Sequence, residues 1–150
     1  MALTYGLSSA RSLYEKLKRD AKALKEEVNS DRFFNFVVTG YSLIEWVEKD
    51  PSVPQTAQTA VKDIRRDQWI KRCRDLANAS KHFTLNYPPI TSSATSEQGF
   101  GVGGFGQGGF GEGEERIEVT LTDGLSFDCF ELVDGVMNTW KNFFSSHGIL

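Results

Sequence analysis

Histidine, cysteine and proline are all scarce in this 150-residue chain, with two, two and four copies. Two histidines, His82 and His147, are too few for a His-rich metal centre, and no Cys/His cluster has metal-ligand spacing. No metal and no cofactor are expected. The two cysteines, Cys73 and Cys129, are too few to staple a secreted scaffold. Both stand in apolar patterns, which suits reduced, buried thiols better than the alternative of a single disulfide between them. No apolar run approaches the ~20 residues that span a bilayer, so no membrane is expected. Residues Met1–Gly6 lack a charged stretch leading into an apolar one, which argues against a secretory signal. Charge of one sign is also missing. With 17 Lys and Arg against 20 Asp and Glu, the net charge of −3 creates no whole-chain field for nucleic acid. The expected location is cytoplasmic.

Glycine is abundant in one place. Gly99 to Gly113 is three near-copies of Gly-Phe-Gly-x-Gly, with Phe100, Phe105 and Phe110 at a period of five. Nine of these fifteen residues are glycine, which no helix or ordinary strand tolerates unaided. The stretch from 86 to 115 therefore reads as a Gly/Phe-rich insert loop within a single domain spanning 1–150. It is either a flexible tether of ~20 Å root-mean-square reach or an adhesive element. In the second case Phe100, Phe105 and Phe110 dock in apolar grooves of a neighbouring subunit. It contains no arginine for RNA, and no Lys followed by a helix for a phosphate loop.

The remainder has helical periodicity. Leu7, Ala10, Tyr14, Leu17, Ala21, Leu24 and Val28 form one face and predict a helix over about 8–28. Residues 33–47 are apolar nearly all round, as a central helix should be. Asp50-Pro51 ends it, and a third helix is expected from about Thr56 to Phe83, stopped before Pro88-Pro89. Thr91–Gln98 reads as polar loop. Arg116 to Cys129 reads as a hairpin in which Ile117, Val119 and Leu121 alternate. A three-residue loop, Thr122-Asp123-Gly124, pairs Leu121 with Leu125 and Val119 with Phe127, and puts Gly124 at the left-handed position. A last helix covers about Phe130–Ser146, with Gly148 as its cap. The expected class is all-α: a four-helix bundle with a small β-hairpin before the last helix and a Gly-rich loop insert.

Two constellations carry chemistry. Arg74, Asn78 and His82 step by four along the third helix and line up on one face. Such a set cleaves RNA without metal if the imidazole moves the 2′-hydroxyl proton and the guanidinium holds the phosphate. Asn78 would orient the histidine. The alternative is that Asn78 and His82 cap polar groups at the helix end. Arg65, Arg66, Lys71 and Arg72 on the same helix suggest a phosphate-tracking stripe, or a solvated face with internal ion pairs.

The helix order, with Arg74-Asp75 and His82 on a long helix, resembles the HEPN superfamily. The resemblance covers about residues 8–85 and 116–150. It implies an all-α bundle, commonly dimeric, and in many members a metal-independent RNase of toxin–antitoxin, phage-defence or CRISPR systems. The family motif has Arg, usually a polar residue next, and His after four to six intervening residues. Here seven residues separate Arg74 from His82. A stretched motif suits a non-catalytic member. The expectation is a helical interaction module acting as an oligomer, with a protein partner or RNA as further candidates. The alternative is an endoribonuclease using Arg74 and His82.

Overall fold

The computed structural model describes Leu3, residues 5–98 and residues 115–150. The chain is mostly helical, with a small three-stranded antiparallel sheet. Helix α1 spans Ala10–Glu26, α2 Ser30–Lys49, α3 Gln55–Ala60, α4 Gln68–His82 and α5 Cys129–Ser146. Strands β1 (Thr91–Gln98), β2 (Glu115–Leu121) and β3 (Ser126–Asp128) lie between α4 and α5.

Local chemistry sets the helix starts. Ser9 and Ser12 form a reciprocal capping box on α1. Asn29 caps α2 and Asp128 caps α5, each through a side-chain oxygen on an orphan N–H. Helix α2 packs on α1, α3, α4 and α5, as a helix apolar on most sides must. Tyr14 of α1 stacks on Phe144 of α5 at 4.6 Å between ring centroids. The fully buried Trp140 donates its indole N–H to the Gly40 carbonyl at 2.9 Å. At Gly135 a Cβ would fall 2.2 Å from the Trp69 ring, so α5 crosses α4 on bare backbone.

The expected third helix, Thr56–Phe83, is three pieces. Helix α3 tightens into a 3-10 turn over Val61–Arg66, and the chain breaks at Asp67 before α4. The tighter turn lets Val61 and Ile64, three apart, both reach the core. Asp67 turns its carboxylate onto the N–H groups of Trp69 and Ile70, so it caps a new helix.

The hairpin takes the register that its apolar residues require. Val119 pairs with Phe127, the Leu121 N–H donates to the Leu125 carbonyl, and Gly124 has φ of +93°. Thr91–Gln98, expected as loop, is instead strand β1, paired with β2 from Thr91↔Leu121 to Gln98↔Glu115. Its sequence, Thr-Ser-Ser-Ala-Thr-Ser-Glu-Gln, carries no apolar alternation to announce a strand. It forms because the edge of β2 needs partners for its N–H and C=O groups. The segment read as the 86–115 insert loop is thus strand over Thr91–Gln98. The Gln98↔Glu115 pairing places the residues that flank 99–114 side by side.

Candidate functional site

The end of α4 and the chain that follows it converge on Asp75. This residue is 1% exposed. Its Oδ1 accepts from Arg74 Nε at 3.0 Å and from the Tyr87 hydroxyl at 3.0 Å. Its Oδ2 accepts the N–H groups of Ile90 and Thr91 at 2.8 and 3.0 Å. A buried carboxylate is tolerable only with its lone pairs filled in this way. Asp75 therefore ties the start of β1 to α4.

The Arg74 ladder has two fates in this setting. Arg74 is half-buried, paired with Asp75 at 2.9 Å and stacked over the Tyr87 ring at 4.7 Å. Asn78 donates its amide to the Tyr87 hydroxyl at 3.1 Å. Burial holds the Tyr87 hydroxyl above the ordinary phenol value; the Asn78 amide that donates to it opposes this, and the negative Asp75 carboxylate that accepts its hydrogen bond adds to it. His82 is exposed at the last position of α4, and with Asn78 and Tyr87 it lines a pocket of about 550 Å³. Arg74 and His82 are eight helical steps apart, about 12 Å of rise. Arg74 is engaged by Asp75 and Tyr87, whereas His82 is exposed at the end of the helix, so the two side chains lie in different settings.

The basic residues do not form one stripe. Arg65 and Arg66 sit on the 3-10 turn, and Lys71 and Arg72 sit beyond the break on α4. Arg65 bonds Glu48 at 2.6 Å, and Arg66 lies 3.8 Å from Asp63. Lys71 is half-buried. Arg72, expected on the solvent face, is 5% exposed, with its guanidinium over Trp69 at 4.5 Å and Phe127 at 5.1 Å. The break at Asp67 puts the two pairs of basic residues on different elements, and Arg72 turns inward. His147 caps α5, its ring 4.5 Å from that of Phe143.

A second surface was not legible from motifs. Phe34 on α2 is 46% exposed, and Phe83, just past α4, is 92% exposed. Phe83 has φ of +68° and ψ of −49°, and the Thr84 N–H donates to the His82 carbonyl at 2.7 Å. This is a γ-turn with positive φ at a non-glycine residue, a strained way to end a helix. Between α2, α4 and β1 lies a groove of about 420 Å³, with Phe33, Phe34, Leu76, Leu85 and Ile117 among its lining residues. Among the described residues, the outer edge of β1 pairs with no strand. Thr91 is buried, and its hydroxyl, in the groove wall, has no hydrogen-bond partner among the described residues.

Phe100, Phe105 and Phe110 lie outside the described residues. Among the described residues no group of His, Cys, Asp and Glu is arranged to hold a metal ion, and no helix is long and apolar enough to cross a membrane. No family model, curated protein or solved structure matches the chain.

Proposed function

We propose that the chain is a cytoplasmic, HEPN-like interaction module that works as an oligomer, most simply a dimer, without cleaving RNA. Helices α1, α2, α4 and α5 are read as its four-helix bundle, since each packs against the next and α5 returns to α1. The observation that carries the reading is the exposed Phe34 in the wall of a groove along a strand edge that pairs with no strand among the described residues, with a second exposed aromatic, Phe83, at the end of α4. Aromatic side chains in such a setting are the usual anchors of protein interfaces. The engagement of Arg74 by Asp75 and Tyr87 supports the non-catalytic half of the proposal. Two free, buried thiols support the location. Light scattering on the purified chain tests it. An oligomer that Phe34→Ser or Phe83→Ser dissociates, with unchanged circular dichroism, is the expected result. A wild-type monomer at tens of micromolar ends the proposal.

One observation favours the second reading, a metal-independent endoribonuclease: His82 is exposed and shares a pocket with Asn78 and Tyr87. In a two-fold dimer the Arg74 of one chain could serve the His82 of the other. RNA cleavage in EDTA that disappears in folded Arg74→Ala and His82→Ala variants would establish it. Intact RNA with the wild type leaves the interaction module.

A further inference from the structure

We infer that the groove between β1, α2 and α4 is the receptor for the Gly-Phe repeat of a second copy of this chain, so that two copies exchange their repeats across a two-fold axis. The inference rests on the reading of the chain as an oligomeric interaction module and names its occupant.

The shape of the groove carries the first step. Its lining includes every residue from Thr91 to Ser96. A pocket on one face of a strand touches alternate residues, whereas one along the strand's edge touches consecutive ones. The groove therefore takes in the free edge of β1, where backbone N–H and C=O groups have no strand partner among the described residues, together with the inner face of the sheet at Ile117 of β2. Such an edge accepts an extended segment as one more strand. The side chains along it are serine, threonine and alanine, small enough for close approach. The apolar side chains opposite, Phe33, Phe34, Leu76 and Leu85, give an aromatic ring a place to sit. About 150 Å³ is enough for a benzene ring, and the groove offers about 420 Å³. The Thr91 hydroxyl, without a partner among the described residues, gives the incoming backbone a hydrogen-bonding group at the buried end of the strand.

The sequence of the chain between the strands fits that site. Residues 99–114 combine glycine, which lets a backbone lie flat against an edge, with three phenylalanines. A fully extended strand turns residues five apart to opposite faces. One phenylalanine at a time can then enter a groove, and the three copies offer alternative registers. Sixteen residues span about 55 Å when extended, and with both ends held at the Gln98↔Glu115 pair they reach about 27 Å out and back.

The position of the segment's ends selects a second copy over the same chain. Ser96 and Ser30, at one end of the groove, both donate to the Glu115 carboxylate, so the segment leaves and returns at that end. Chain leaving Gln98 along the direction of β1 runs away from its own groove. Entry into its own groove would require a reversal of the backbone and a crossing of β1 on the way to Glu115. A second copy facing that end receives the segment without reversal, antiparallel to its own β1, and returns the same contact.

Site-directed cross-linking of the full chain tests this. Ser93→Cys marks the groove edge and Gly104→Cys marks the repeat, in separate chains of different mass, and the native Cys73 and Cys129 are buried. Mixed and oxidised, the two variants are expected to give a covalent heterodimer. Its yield should fall at least tenfold when Phe100, Phe105 and Phe110 are replaced by serine, or when Phe34→Ser is placed in the groove chain. Three results overturn the inference: no heterodimer, a heterodimer indifferent to those replacements, or a Ser93→Cys/Gly104→Cys double variant that closes its disulfide within one chain. Light scattering on the wild type separates the layers. An oligomer without the heterodimer removes the groove assignment alone, and a monomer removes the oligomeric reading with it.

Discussion

Replacing Asp75 should separate a structural hub from a catalytic helix. In Asp75→Ala the donors of Arg74 and Tyr87 lose a partner, but both side chains are partly exposed and water can replace it. The N–H groups of Ile90 and Thr91 are less fortunate, because the Thr91 bond is buried and the Ile90 bond partly so. Each buried donor left unsatisfied costs about 1–3 kcal/mol. Two of them together put the loss for Asp75→Ala at about 2–6 kcal/mol. Asp75→Asn keeps one oxygen, which can serve both backbone donors, while its amide meets Arg74 unfavourably. Its loss should be about 1 kcal/mol. Urea unfolding monitored by tryptophan fluorescence measures both, and hydrogen exchange at Ile90 and Thr91 locates the effect. Exchange at those two amides should accelerate first in Asp75→Ala. Equal losses for the two variants, or an Asp75→Ala loss below about 1 kcal/mol, would refute the assignment of Asp75 as the anchor of β1.

Phe83→Gly should stabilise the fold by about 1 kcal/mol, because positive φ is strained for phenylalanine and free for glycine; weakened self-association in the same variant, read by light scattering, would mark Phe83 as an interface residue. Gly135→Ala should destabilise by about 3 kcal/mol in urea, since its Cβ would meet the Trp69 ring and neither helix can move aside cheaply. Both thiols are pushed up to about 12, Cys73 by burial alone and Cys129 by burial and then the nearby Asp128 carboxylate. At pH 8 an alkylating reagent should therefore modify neither until the chain unfolds. Partial burial disfavours the charge on Asp50, but bonds from the Ala10 N–H and from the Ser52 hydroxyl and N–H outweigh it and leave its carboxyl below the usual value. A carboxyl depressed by folding contributes its full stability above the unfolded value of about 3.9 and loses it as pH falls through the lower, folded value. Asp50→Asn should thus cost stability at pH 7 and converge with the wild type at pH 2, as urea midpoints at the two values will report.

The features legible in the sequence are those carried by neighbours along the chain. Helix faces such as Leu17, Ala21 and Leu24 repeat at intervals set by the backbone alone. The hairpin register followed from Val119, Leu121, Leu125 and Phe127 together with a glycine able to take positive φ. The spacing of Arg74, Asn78 and His82 likewise placed them on one helix, because four residues are about one turn.

What the tertiary structure decided involves partners remote in the chain or side chains without periodic signature. Strand β1 has no apolar alternation and exists because β2 offers an edge to pair with. The break at Asp67 depends on a carboxylate choosing two backbone donors over solvent, in a stretch whose apolar spacing also fits one continuous helix. Charge in the sequence suggested that Arg72 faces water and that Arg74 and His82 act together. Packing placed Arg72 between Trp69 and Phe127, and Asp75 with Tyr87 engaged Arg74. The physical reason is range: periodicity is a property of the local backbone, whereas the fate of a buried charge is set by whichever distant groups arrive to satisfy it.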